Sequence, residues 1–167
     1  MDKNGKLLLP EWTADIKPFD NNLAMIATQT LDNQHLKMGY INSKGKWIIE
    51  PIYDYEPNIL YRKVGKYFKL SKNMQWGIID DNNKIIVPFE YQDIDLPYFL
   101  QSSLLFGIQD RLAVCKNGKW GYLNSKKKLI INFQYQQAQT FVNGFARVKL
   151  QDKYGYINWK GVQFWSD

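Results

Sequence analysis

One cysteine in 167 residues, Cys115, leaves no partner for a disulfide within the chain. That absence fits a reducing compartment, and a cytoplasmic location is expected. One histidine, His35, excludes a site built on several imidazoles, and neither an HExxH nor a CxxC spacing is present to recruit zinc. No apolar run reaches the ~18 residues that cross a bilayer as a helix. The opening MDKNGKLLLPEW has only Leu7 to Leu9 apolar in a row and lacks the core of a secretory signal. Helical periodicity is missing from every ten-residue window. Missing too are the glycine-rich phosphate loop, the dinucleotide fingerprint and the nucleophile elbow. No cofactor, metal, membrane or small-molecule substrate is expected.

The chain is instead rich in aromatic and basic residues. Aromatic side chains make up 16% and hydrophobic ones 45%, enough for one domain with a real core and too much for a disordered chain. A net charge of +6 permits an acidic partner without requiring one. Nucleic acid is not the expected partner, because no base-stacking aromatic motif accompanies the charge.

The glycines expose a period. Gly39, Gly77 and Gly121 sit in KMGYINSKGKWIIEPIY, QWGIIDDNNKIIVPFEY and KWGYLNSKKKLIINFQY, and Gly155 in KYGYINWKGVQFW. Each glycine follows a large residue (Met38, Trp76, Trp120, Tyr154) and precedes, by three, an Asn or Asp: Asn42, Asp80, Asn124, Asn158. The three complete copies end on Tyr53, Tyr91 and Tyr135. DKNGKLLLPEW, at the start, aligns with the later part of a copy, so the pattern opens inside one copy and closes inside another. This organisation is one repeat domain over 1–167: a partial repeat 1–18, repeats 19–57, 58–94 and 95–138, and a partial repeat 139–167.

These motifs resemble the WG repeat family of bacterial proteins, whose core reads like GKWGYID..GK.VIPP.YD. The resemblance covers nearly the whole chain. Met38 and Tyr154 depart from it where tryptophan is usual, and Lys127 departs where glycine or asparagine is usual. It implies an all-β repeat used in interactions and no catalytic residues.

The residues themselves predict strand, turn, strand after each glycine, with β-branched and aromatic runs broken by turn formers. Asn42, Asp80, Asn124 and Asn158 are expected to start a four-residue turn, and Gly45, Asn83, Lys127 and Gly161 to end it in a left-handed conformation. That register sets Gly39, Gly77, Gly121 and Gly155 opposite Ile48, Ile86, Ile130 and Phe164, the glycine making room for a bulky cross-strand neighbour. Pro10, Pro51 and Pro88 are expected just past the second strand, ending the ladder. LAMIAT, KYFKL, RLAVC and FARVKL supply a third strand per copy. The expected fold is all-β: antiparallel hairpins and meanders stacked as an open curved array, or alternatively a small closed propeller-like ring.

Chemistry finds few candidates. His35 reads as a loop residue and Cys115 as a buried apolar one. Asp93 and Asp95 project to one side of a strand, as paired carboxylates or cation ligands do, but Asp54 and Glu56 recur at the similar place one copy earlier, as repeat-closing residues would. Lys37, Lys119 and Lys153, with Lys6, Lys46, Lys84 and Lys128, recur in phase and would line an anionic partner's ridge or simply guard strand edges. The least repeat-like segment, 95–107, supplies the expected partner contacts: Tyr98, Phe99, Leu104 and Phe106. The expected function is a non-enzymatic protein-binding repeat module, in its concrete form a small immunity protein that blocks a cognate toxin. The alternatives are an interaction or sensor segment of a larger repeat protein, and a binder of an anionic partner through the lysine ridge.

Overall fold

A computed structural model of the chain describes residues 12–20, 22–30, 35–56, 63–96, 105–106 and 110–165. These form four sheets, each of four antiparallel strands joined in chain order. The first holds β1 (Thr13–Asp20), β2 (Leu23–Gln29), β3 (Leu36–Asn42) and β4 (Trp47–Asp54). The second holds β5 (Lys63–Val64), β6 (Tyr67–Lys72), β7 (Gln75–Asp80) and β8 (Ile85–Tyr91). The third holds β9 (Asp93–Ile94), β10 (Leu112–Lys116), β11 (Lys119–Leu123) and β12 (Leu129–Tyr135). The fourth holds β13 (Gln137–Ala138), β14 (Phe145–Leu150), β15 (Lys153–Asn158) and β16 (Gln163–Trp165). The sequence predicts three strands per copy. The fourth is the eight-residue β1 in the first sheet and a pair of residues in the others; in the third and fourth sheets that pair follows directly on the previous sheet's last strand, as Asp93–Ile94 follows Tyr91 across Gln92.

The recurring Asn/Asp shapes the last hairpin of every sheet, between its third and fourth strands. Asn42 Oδ1 accepts hydrogen bonds from the N–H groups of Lys44 and Lys46, and Asp80 Oδ1 does so from Asn82 and Lys84. Asn158 repeats the pair with Lys160 and Val162, and Asn124 accepts from Lys128. Three residues later the chain turns left-handed, at Gly45 (φ 75°), Asn83 (φ 60°), Lys127 (φ 63°) and Gly161 (φ 85°). The left-handed residue donates its N–H to the Asn/Asp carbonyl, while the Asn/Asp N–H bonds to the residue after the turn. The loop is therefore three residues long, a turn closed by a left-handed residue, and Ile41 pairs with Trp47.

That shorter loop corrects the expected partner of the repeat glycine. Tyr40 pairs with Ile49 and Met38 with Tyr53, so a bulge in β4 lies beside Gly39. A Cβ on Gly39 would run into the backbone of Ile49 to Pro51, and one on Gly121 would lie 2.7 Å from the Ile131 carbonyl oxygen. At Gly77 the space is filled by the Phe89 ring and at Gly155 by the Trp165 ring. The glycine thus admits a bulged strand or a ring further along, not Ile48, Ile86, Ile130 or Phe164. Pro51 and Pro88 also lie inside their strands rather than beyond them. Both strands are sheet edges carrying a bulge, where a missing N–H leaves no ladder bond unmade.

Three apolar clusters join neighbouring sheets. Ile49 and Tyr53 of the first meet Phe68, Leu70 and Ile79 of the second. Ile78, Val87 and Tyr91 of the second meet Ile94, Leu112, Val114 and Leu123 of the third. Tyr122, Ile131 and Tyr135 of the third meet Ala146, Val148 and Ile157 of the fourth. Each cluster thus combines one face of a sheet with the opposite face of the next, as stacking requires when one copy cannot bury its own surface. Among the described residues none of the three joins the first sheet to the fourth, as in the open array rather than the ring. Among the described residues no helix is long and apolar enough to cross a membrane.

Candidate functional site

The sequence candidates for chemistry are tied into the stack. Asp93 receives the Lys69 ammonium at 2.5 Å, and that ammonium also donates to the Ile94 carbonyl. Asp95 accepts from Thr140 N–H at 2.6 Å and from its hydroxyl at 2.8 Å. Burial pushes the Asp95 carboxyl above its ordinary range despite those two bonds. Asp54 takes Lys37 at 2.5 Å, the Ser71 hydroxyl at 3.0 Å and Met74 N–H at 2.9 Å. Burial alone would raise its pKa, but these donors outweigh it and hold the carboxyl below the usual range.

Cys115 is buried on β10, with Sγ 4.0 Å from Gln92 Oε1. Burial and then the charge of Asp93 push its thiol up, opposite to the shift that activates a nucleophile. His35 is exposed at the entrance of β3. Among the described residues no group of three or more His, Cys, Asp or Glu is placed to hold a metal ion.

Of the expected partner contacts, Phe106 is half-buried against the cluster between the second and third sheets. Leu96 and Leu105, from the same segment, are buried in that cluster. Tyr98, Phe99 and Leu104 lie outside the described residues. In the lysine columns Lys37 is paired with Asp54, whereas Lys46, Lys84, Lys128, Lys119 and Lys153 are exposed; Lys6 lies outside the described residues.

Among the described residues, exposed large hydrophobic side chains gather on the fourth sheet, and the sequence reading missed them. In the first three sheets the pairs Tyr40↔Ile49, Ile78↔Val87 and Tyr122↔Ile131 point at the next sheet. Tyr122 is wholly buried there, its ring 4.9 Å from Phe141 and its hydroxyl donating to the Gln139 carbonyl. The corresponding pair of the fourth sheet is Tyr156↔Phe164, and these are 53% and 47% exposed. Phe145 joins them, edge-on to Phe164 at 5.8 Å. Arg147 lies opposite Tyr156 with its guanidinium 4.1 Å above the Tyr154 ring.

Beside this face the fourth copy breaks the polar pattern. Trp159 stands where the other copies have Ser43, Asp81 and Ser125, and Val162 where they have Lys46, Lys84 and Lys128. Both are about half exposed, Trp159 at 48% and Val162 at 51%. Those two replacements were the available signal in the sequence.

Three stretches of the chain, residues 38–55, 76–98 and 120–154, match the family model described as WG containing repeat. No curated protein and no solved structure matches the chain.

Proposed function

We propose, from the three stretches that match the WG containing repeat family model and from the β-repeat fold, that the chain is a non-enzymatic module that binds another protein. The observation that carries this reading is the open aromatic face of the fourth sheet. Three equivalent faces are each sealed by a neighbouring sheet, while Phe145, Tyr156 and Phe164 are left to solvent. A contiguous apolar patch with a basic residue set among aromatics has the composition of a protein interface core. Asp93 and Asp95 are each engaged in tying one sheet to the next and Cys115 is buried on β10, which fits a scaffold better than a reaction centre.

In its finer form the module is a small immunity protein that occludes a cognate toxin. Co-expression with the product of an adjacent toxin-like gene tests this: growth is restored by the wild-type chain and less well by Phe164→Ser. Growth arrest that persists beside abundant folded chain removes the immunity reading. A chain that always purifies alone from its native cells at full yield removes the protein-binding reading.

A further inference from the structure

The stack contains a precedent for what the open face lacks. Lys69 of the second sheet occupies the place that Arg147 holds in the fourth, opposite Ile78 as Arg147 is opposite Tyr156. Its ammonium lies 5.1 Å from the centre of the Trp76 ring, as Arg147 lies over Tyr154. Lys69 is 8% exposed, and a charge so buried requires a counter-charge. The counter-charge is Asp93, delivered by the sheet that covers it. At the fourth sheet the cation and ring are assembled, yet Arg147 forms no ion pair among the described residues. The neighbouring carboxylate Asp152 is held by Lys149 at 2.9 Å.

Deepening the protein-binding reading, and resting on it, we propose that this face receives a β-sheet surface of an acidic protein partner. The partner seats a carboxylate on Arg147, in the role Asp93 plays for Lys69, and covers Phe145, Tyr156 and Phe164 with apolar side chains. Three sheet-on-sheet interfaces built on the same positions define the shape of the occupant. A planar guanidinium also favours a carboxylate held by two donors.

A second copy of the chain fits less well. A twofold pairing of this face would bring Arg147 towards its own counterpart, and each copy carries a net charge of +6. Head-to-tail stacking meets a first sheet whose Ala24, Ile26 and Ile41 are already buried.

The test selects a phage-displayed library of random peptides on the intact chain at low ionic strength. Enriched peptides are expected to carry Asp or Glu flanked by apolar residues. Their affinity should fall about tenfold with Arg147→Glu, and equally with Phe164→Ser. Replacing the peptide acid by Lys should restore binding to Arg147→Glu. Both residues are exposed, and an unchanged circular dichroism spectrum and melting midpoint verify each variant.

Peptides indifferent to both variants leave protein binding standing and overturn this face. Absence of any enriched peptide overturns both readings. A wild-type dimer in sedimentation that Phe164→Ser dissociates assigns the face to a second copy, and overturns the acidic partner. Retention on phosphatidylglycerol vesicles that Phe164→Ser abolishes assigns it to a lipid surface, with the same consequence.

Discussion

Gly118 and Gly121 belong to one hairpin pair and meet the same substitution by different routes. At Gly121 an added Cβ would lie 2.7 Å from the Ile131 carbonyl oxygen and 3.1 Å from the Asn132 carbonyl carbon, both backbone atoms. Gly121→Ala should therefore lower stability in urea by about 2 kcal/mol, as overpacking does. At Gly118 nothing lies within 4 Å, so only the left-handed φ of +71° opposes a side chain, at about 1 kcal/mol. Lys127 is the converse case, a side chain already at φ 63°, and Lys127→Gly should raise stability by up to about 1 kcal/mol. Equal losses at the two glycines would refute the distinction between them.

Two carboxylates should move stability in opposite directions with pH. The folded pKa of Asp54 is depressed by its three donors, so its contribution is complete above 3.8 and is lost as pH falls through the lower folded value. Asp95 is raised by burial, so its ionised form penalises the fold at neutral pH, and the penalty vanishes below 3.8. Asp95→Asn, which keeps an acceptor for Thr140, should stabilise at pH 7 and be neutral at low pH. Asp54→Asn should destabilise at pH 7, with the deficit shrinking as pH falls. Urea midpoints measured across pH separate the two, and parallel curves would contradict both assignments.

Among the elements, the hairpin joining the two middle strands of each later sheet is fastened by a side chain at or just past the end of the preceding sheet's last strand. The residue after each recurring tyrosine (Tyr53, Tyr91, Tyr135) reaches across: Asp54 to Met74 N–H, Gln92 Oε1 to Gly118 N–H at 2.6 Å, and Gln136 Oε1 to Asp152 N–H at 3.0 Å. Those turns place two consecutive residues at positive φ, so the recipient N–H groups face outward from a tight two-residue loop. Gln92→Ala should cost about 1 kcal/mol and speed exchange of the Gly118 amide. Asp54→Ala should cost about 2 kcal/mol, because Lys37 and Ser71 also lose an acceptor. An unaltered Gly118 exchange rate in Gln92→Ala would show that the fastening is idle.

The sequence made half of this legible. Asn42, Asp80, Asn124 and Asn158 announce their turns because the side chain acts locally on its own backbone. The latch hides because its donors are backbone groups of a hairpin in the next copy. The bulges in β4, β8 and β12 escaped because a loop one residue shorter than expected changes every later pairing. The two-residue strands β5, β9 and β13 carry too few side chains to form a pattern. The face around Arg147 stayed hidden for a further reason: alternation separates two sides of a strand, but only the stacking order tells which side is covered.

At the scale of the whole molecule, the three clusters each link one sheet to the next, so stability should propagate between neighbours rather than arise in one shared core. Tyr135 tests this directly. It is wholly buried between the third and fourth sheets and accepts a hydrogen bond from Gln163 Nε2 at 3.2 Å. Tyr135→Ala removes a large ring from that interface alone, at a cost of about 3 kcal/mol. Amides of β14 and β15 should then exchange faster, whereas those of β2 and β3 keep their protection. Ile26→Ala, in the small cluster of the first sheet, should reverse the gradient. The open aromatic face belongs to the same logic, because among the described residues Phe145, Tyr156 and Phe164 of the fourth sheet are exposed where the equivalent faces of the other sheets are covered. A bound partner would add the missing interface and should slow exchange in β14 and β15 first. Uniform acceleration across all four sheets in Tyr135→Ala would mean a single cooperative unit, and would sink the neighbour-by-neighbour account.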